Sequence, residues 1–195
     1  MKIKRMKLKL FILLLTFSTV SHSQISENTG IYFAKEFSKD QALYKAKEFL
    51  ITELINVDST PTKFEVDPLA AASSGELTSL MYSCEEQNMS GLIFGFFGNR
   101  WNENGVNYQA YAFRNLNKSD ALEILSKLEK IIDENSKYIR SDSDTNNISF
   151  TYQDIKFLIY RDGGEKIRVF WNGFDAEWEE TAFNRTRRRF ERRID

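Results

Sequence analysis

The sequence predicts an α+β fold, in which two antiparallel β-meanders and three helices follow the order α-βββ-α-βββ-α. Three observations lead to this prediction. Apolar and polar residues alternate in several short runs, as they do along strands with one buried face. Asn-Gly, Asp-Gly and Gly-Gly pairs between runs supply the positive φ that tight hairpin turns require. Other, longer stretches repeat their apolar residues at helical spacing.

The first helix is expected from about Lys39 to Asn56, after a strand over residues 31–37. Ser38-Lys39-Asp40-Gln41 has the form of a capping box, which is typical of a helix N-terminus. The apolar face of this helix comprises Leu43, Ala46, Leu50, Leu54 and Val57.

The segment after this helix contains Pro61 and Pro68, the only prolines of the chain. It runs into Ala70-Ala71-Ala72-Ser73-Ser74-Gly75, a stretch of small residues. We interpret this stretch as a mobile loop, with a short buried alanine helix as the alternative.

The first meander is expected to have strands over residues 77–84, 92–97 and 106–114. The run 92–97 is uncharged and free of proline, so it should be an interior strand of the sheet. Asn104-Gly105 predicts a tight hairpin between the last two strands. Glycines interrupt the middle strand without the Gly-Lys-Ser/Thr sequence of a phosphate loop, so they indicate a bulge or a close backbone approach. Together with Trp101, these glycines are candidates to line a ligand groove, with core packing as the alternative.

The second half begins with a helix from the capping cluster Asn117-Lys118-Ser119-Asp120 to about Lys137. Three strands of a second meander then alternate cleanly within residues 147–171. Asn172-Gly173 is expected to end this meander. A third helix should follow from about Asp175 to Arg193, with Trp171 and Phe174 as core residues where the last strand meets it.

The two meanders are expected to form separate sheets or to join as one curved sheet, with all three helices on a single face. The opposite face would then stay open, as it does in groove-forming binding domains.

Residues 1–23 predict a secretory signal peptide. A head with five Lys/Arg precedes an apolar run from Leu10 to Val20, and Ser21-His22-Ser23 offers small residues for signal peptidase. The alternative is an uncleaved interfacial anchor, because the apolar run is too short to span a bilayer.

Residues 24–195 are expected to form a single exported α+β domain of the bacterial envelope, in the periplasm or outside the cell. Segments 39–114 and 119–193 share the order of their elements, which suggests an internal duplication. The net charge of −1 becomes −6 without residues 1–23, because these hold five Lys/Arg and no acid. This acidic balance disfavours nucleic acid as a partner.

Removal of the signal peptide also removes His22, the only histidine of the chain. Its loss excludes Ser-His-Asp and Cys-His catalysis and histidine-ligated zinc. Cys84 is the only cysteine, so no internal disulfide can form. Residues 142–146 space their oxygen atoms like the start of a calcium loop, but the turn glycine and the bidentate glutamate are missing. The sequence therefore predicts no cofactor and no metal site.

Carboxylates remain as the enzymatic alternative. Two carboxyl groups about 5–10 Å apart, one with a raised pKa, can catalyse glycoside hydrolysis. The structural interpretation is that Asp175 caps the third helix and that neighbouring acids match the positive end of its dipole. No catalytic residue is assigned. The acids concerned are Asp162, Glu165, Asp175, Glu177, Glu179 and Glu180.

The third helix carries the most unusual surface of the chain, with six arginines within residues 185–193. An apolar stripe that includes Trp178 and Phe190 should face the core, which leaves Arg188 and Arg192 in water on the opposite side. Arginine favours bidentate contact with carboxylate and phosphate, although charged runs often only complement the helix dipole. The candidate ligand- or partner-binding residues are Arg188, Arg192, Arg185 and Trp101.

Three functions remain open at this point. The first is a non-enzymatic binding or interaction domain of the envelope, and the second is a glycosidase-like hydrolase that uses paired carboxylates. The third is a protein that associates with an anionic surface through the arginine-rich helix. The expected partner is an unknown protein or an anionic envelope component, including peripheral contact with a membrane.

Overall fold

The computed structural model describes residues 30–31, 39–101, 104–142 and 145–194 of the chain. The predicted signal peptide and most of the strand expected over 31–37 lie outside the described residues. The strands are β1 (Gly30–Ile31), β2 (Glu65–Ala71), β3 (Leu77–Cys84), β4 (Met89–Trp101), β5 (Asn107–Asn117), β6 (Ile148–Tyr152), β7 (Ile155–Arg161), β8 (Glu165–Trp171) and β9 (Phe174–Glu179). The helices are α1 (Lys39–Phe49), which a π-helical turn over Leu50–Leu54 extends, α2 (Lys118–Ser141) and α3 (Glu180–Ile194).

These strands form two antiparallel sheets, which confirms the α+β class and the alternation of helices with meanders. Sheet A has the order β1-β5-β4-β3-β2, and sheet B has the order β6-β7-β8-β9. The chain therefore does not build one curved sheet. Each meander contains one further strand that the sequence analysis did not predict, namely β2 in sheet A and β9 in sheet B.

Sheet A is covered on both faces. Leu92, Phe94 and Phe96 of β4 belong to a core cluster that α2, α3 and sheet B share. Ile93 and Phe97 belong to a second cluster on the opposite face, which α1 covers. The expectation that all three helices lie on one face is therefore wrong. Its physical reason is visible in the sequence, because a continuous apolar strand must bury both of its faces.

Strand β4 is an interior strand, as its uncharged run predicts. It pairs with β3 on one side and with β5 on the other. A Cβ atom at Gly91 would lie 2.1 Å from the carbonyl oxygen of Leu116 and 2.8 Å from the ring of Tyr82. The close backbone approach proposed for the glycines of this strand is therefore real at Gly91.

Sheet B is buried on one face only. Phe157 and Val169 point into the core that sheet B shares with sheet A. Tyr160, Lys166 and Arg168 occupy alternate positions and face the other way, where they form polar contacts. This arrangement matches the alternation of apolar and polar residues in the sequence.

The segment predicted to begin the third helix is instead the strand β9. Asn172 and Gly173 both have positive φ, and they connect Trp171 directly to its partner Phe174 in a two-residue hairpin. Asp175 therefore lies in a strand and does not cap α3. Phe174 is buried in the core as predicted, while Trp171 is half-buried and packs on Phe96 with ring centroids 5.3 Å apart.

The segment interpreted as a mobile loop ends the strand β2. Ala70 and Ala71 pair with Ser79 and Thr78 of β3, after a register shift at Pro68. Strand β2 is the edge of sheet A, where a proline removes no ladder hydrogen bond that the sheet needs. The hairpin tip then reaches sheet B, because the backbone N–H of Ser73 donates to Glu179 over 2.7 Å.

Candidate functional site

Helix α3 packs on the core through one side. Phe183, Phe190 and Ile194 are buried in the cluster that contains both sheets. Thr186 is also buried, and its hydroxyl lies 2.6 Å from the hydroxyl of Ser79 on β3. These contacts hold α3 in one orientation, and that orientation decides where each of its arginines lies.

Three arginines of α3 are bound to the protein itself. Arg187 forms ion pairs with Glu129 of α2 at 2.7 Å and with Glu191 at 3.3 Å. The other two contact the edge strand β2, where Arg189 donates to the backbone carbonyl of Leu69 and Arg193 lies 3.0 Å from a carboxylate oxygen of Asp67. These three side chains therefore have structural roles that fix α3 between α2 and β2.

The other three arginines, Arg185, Arg188 and Arg192, form what we term the outer arginine face. All three are exposed, which confirms the exposure predicted for Arg188 and Arg192. Arg188 donates its Nε–H to the carbonyl of Asn184 over 3.2 Å, and Arg192 donates its own to the carbonyl of Arg188 over 3.1 Å. Within the described part of the chain, no carboxylate forms an ion pair with any of these three residues.

Arg188 and Arg192 use only their Nε–H groups in these bonds to backbone carbonyls of their own helix. A guanidinium has five N–H donors, so most of its donors remain for a ligand with several acceptor oxygens. Among the described residues, an open depression of about 500 Å³ is lined by Arg185, Arg188, Arg189, Glu191 and Arg192. The outer arginine face can therefore accept a carboxylate, a sulfate or a phosphate.

The fourth candidate residue, Trp101, ends β4 opposite Asn107 of β5. Its side chain lies outside the described part of the structure, so its predicted ligand contact stays a prediction. Its backbone position belongs to sheet A, whereas the arginines belong to α3.

Four of the six carboxylates proposed for the enzymatic alternative, Asp162, Glu165, Asp175 and Glu177, have cationic partners. Asp162 and Glu177 lie 3.2 Å and 3.3 Å from the ammonium of Lys166, and their hydrogen bonds raise the pKa of Lys166. Asp175 accepts from Arg168 over 2.6 Å, and this bond raises the pKa of the guanidinium. These carboxylates are therefore engaged in ion pairs of the fold, whereas glycoside hydrolysis requires a pair of carboxyl groups placed to act on a substrate.

Glu165 and Glu179 are also engaged in structural contacts. Glu165 is buried and forms an ion pair with Arg140 of α2 at 2.9 Å. Glu179 accepts the backbone N–H of Ser73, so it holds the β2–β3 hairpin against sheet B. For these five acids, the contacts favour the structural interpretation over the catalytic one.

A polar cluster that the sequence analysis did not identify connects the two sheets. The guanidinium of Arg114 on β5 donates to Asp154 over 2.9 Å and 3.0 Å, and the indole N–H of Trp171 donates to the same carboxylate over 2.8 Å. Partial burial acts to raise the pKa of Asp154, but these hydrogen bonds outweigh it and lower the pKa. No sequence pattern indicates this cluster, because its members come from β5, from the turn between β6 and β7, and from β8.

In the part of the chain that the structure describes, no three His, Cys, Asp or Glu side chains are placed to hold a metal ion. The candidate calcium segment lies partly outside the described residues, since residues 143–144 are not included. Cys84 is the single cysteine of the chain, and it is buried in the cluster under α1. None of the described helices combines the length and the apolar character needed to cross a bilayer.

The chain was also compared with protein-family models, curated proteins and solved structures, and none of these comparisons finds a match.

Proposed function

We propose that this chain is an exported, non-enzymatic binding protein of the bacterial envelope, and that it contacts an anionic partner through the outer arginine face. One observation carries this proposal. The arginines of a single helix divide into three whose side chains contact α2 or β2 and three exposed ones that, among the described residues, bind no other element and no carboxylate. Dipole complementarity explains the position of the cations on the helix but requires no such division.

The proposal of export is supported by the composition of residues 1–23, which combine a basic head, an apolar run and a small-residue site. The periplasm or the cell exterior is then the place where the domain meets its partner. The ion-paired carboxylates give the hydrolase alternative no comparable support.

The proposal can be tested by salt elution from a phosphocellulose column, using the protein purified from bacterial cells that express the full chain. Replacement of Arg185, Arg188 and Arg192 with glutamine should lower the salt concentration at which the protein elutes, because exposed charges contribute to binding and are screened by salt. Thermal stability should change little, since surface substitutions typically alter the free energy of unfolding by no more than about 0.5 kcal/mol.

A matched control removes the same amount of charge elsewhere, by replacing Lys63, Lys137 and Lys156 with glutamine. These lysines are exposed and lie outside α3. The control should elute close to the wild type. Equal shifts for both variants would show that only net charge matters, and the function would return to unknown.

N-terminal sequencing of the same preparation should begin at Gln24, whereas an intact Met1 would contradict export with cleavage.

A further inference from the structure

We infer that the anionic partner is the phosphate-bearing surface of a lipid bilayer, which the protein touches through the outer arginine face without inserting into it. This inference rests on the proposed function, because it identifies the partner of the same site. It follows from the charge distribution of the chain, from the residues that surround the arginines, and from the position of the apolar side of α3.

Positive charge is concentrated in α3, whereas the rest of the chain is acidic. Helix α3 contains six Arg and two Glu, a net charge of +4, so the rest of the sequence carries −5 of the total of −1. If residues 1–23 and their five cations are removed, the part outside α3 becomes still more acidic. An anionic surface repels most of such a protein and attracts one face of it. The division therefore gives the molecule a single favoured orientation at the surface.

The surroundings of the arginines do not resemble the centre of a protein–protein interface. On a helical wheel, the neighbours of Arg188 on the solvent side are Thr181, Asn184 and Glu191, which are all polar. Stable protein interfaces usually have aromatic or apolar residues at their centre, and these contribute most of the binding energy. A lipid headgroup surface needs no such centre, because exposed cations near it are attracted by its potential.

The apolar side of α3 is not free to enter a membrane. Phe183 and Phe190 are buried in the core, and Thr186 is tied to Ser79 of sheet A. An amphipathic helix that inserts must place its apolar side in the lipid, so insertion of α3 would require it to leave the fold. Contact at the headgroup level leaves the fold intact.

The spacing of the outer arginine face also suits a surface with many separate phosphates. Arg185 and Arg192 are seven residues apart, which corresponds to about 10 Å along the helix axis. The three arginines therefore occupy a row of positions on one side of the helix, beside the open depression that they line. A row can contact several headgroups, whereas a single small anion would contact only one or two of the guanidinium groups.

The test is sedimentation with phosphatidylcholine vesicles that contain or lack phosphatidylglycerol, again with the protein purified from cells that express the full chain. Binding should require phosphatidylglycerol and should be lost at high salt. Each arginine should contribute a factor of about five to the partition coefficient, so that replacing all three with glutamine weakens binding by about a hundredfold. The Lys63, Lys137 and Lys156 control should bind like the wild type.

A variant with lysine at positions 185, 188 and 192 separates a surface from a specific partner. A membrane potential acts on charge, so the lysine variant should keep most of its vesicle binding. Loss of vesicle binding in this variant would contradict attraction by the surface potential, since the three charges are kept and only the planar guanidinium fork is removed. Binding that persists at high salt would also overturn it, because this would indicate insertion.

The failures of the two proposals are distinguishable. Arginine-dependent retention on phosphocellulose without binding to anionic vesicles would overturn the membrane inference and leave the proposed function standing, with an acidic protein as the partner. Absence of arginine-dependent binding to either material would overturn both proposals.

Discussion

Sheet A and sheet B are both antiparallel, but they are enclosed to different extents. Sheet A lies between α1 on one face and the shared core on the other, so both faces of β4 are apolar. Sheet B meets the core with one face and carries Lys166, Arg168 and their carboxylate partners on the other. The difference shows that the pattern of apolar and polar residues along a strand indicates how many faces of its sheet are covered. The number of apolar faces in turn determines where helices can pack.

The largest expected effect tests this difference directly. Ile93 of sheet A and Leu158 of sheet B both face away from the core that the two sheets share. Ile93 is fully buried under α1, so Ile93→Ala should lower the free energy of unfolding by about 3 kcal/mol. Leu158 is only half-buried, so Leu158→Ala should cost about 1 kcal/mol or less. Urea denaturation measures both, and equal costs would contradict the open face of sheet B.

A smaller effect concerns the connection between the sheets. Asp154→Asn removes an ion pair with Arg114 and weakens the bond from Trp171, so it should cost about 1 kcal/mol near neutral pH. The pKa of Asp154 is lowered in the folded protein, so its stabilising contribution is present above the unfolded pKa of about 3.9 and is lost as the pH falls through the folded value.

The stability of the wild type and of Asp154→Asn should therefore converge in acid, which urea denaturation at neutral and acidic pH would measure. A difference that stays constant down to low pH would mean that the carboxylate charge is not what joins the sheets.

The smallest effect is expected on the outer face of sheet B. Arg168→Gln breaks an ion pair with Asp175, but both side chains are partly exposed, so the cost should be below about 1 kcal/mol. Thermal denaturation against the wild type would measure it. A cost comparable to that of Ile93→Ala would indicate that another surface covers this face in solution.

Much of the fold could be predicted because local signals agree with the final packing. Helix α2 begins at its predicted cap, where the side chain of Asn117 accepts the backbone N–H of Asp120 over 2.9 Å. The interior position of β4 followed from its uncharged apolar run. In both cases, the chain segment itself carries the information that decides its structure.

The missed elements are those whose local signals conflict. Strand β9 alternates Phe174, Ala176 and Trp178, but its acidic residues also suit the first turn of a helix. The Asn172-Gly173 pair is a strong hairpin signal, but the same pair also suits the break between a last strand and a helix. The composition of β2 does not predict a strand, because proline and alanine are depleted in most strands. Both are nevertheless tolerated at the edge of a sheet.

The candidate site was predictable in part for a similar reason. Helical periodicity was sufficient to place Arg188 and Arg192 on the solvent side. It could not show that Arg187, Arg189 and Arg193 bind to distant parts of the chain, because those partners lie in α2 and β2. Long-range contacts depend on the tertiary structure, which no periodicity within one helix encodes.

The contacts between α3 and β2 have a consequence for the order in which the chain can fold. Helix α3 is the last described element to leave the ribosome, but it closes the edge of a sheet whose strands are made much earlier. Until it arrives, the carbonyl of Leu69 lacks the Arg189 donor and the site for Phe190 stays empty. A shortened chain without α3 would expose this edge to other chains, so its failure should be aggregation and not a slow loss of structure.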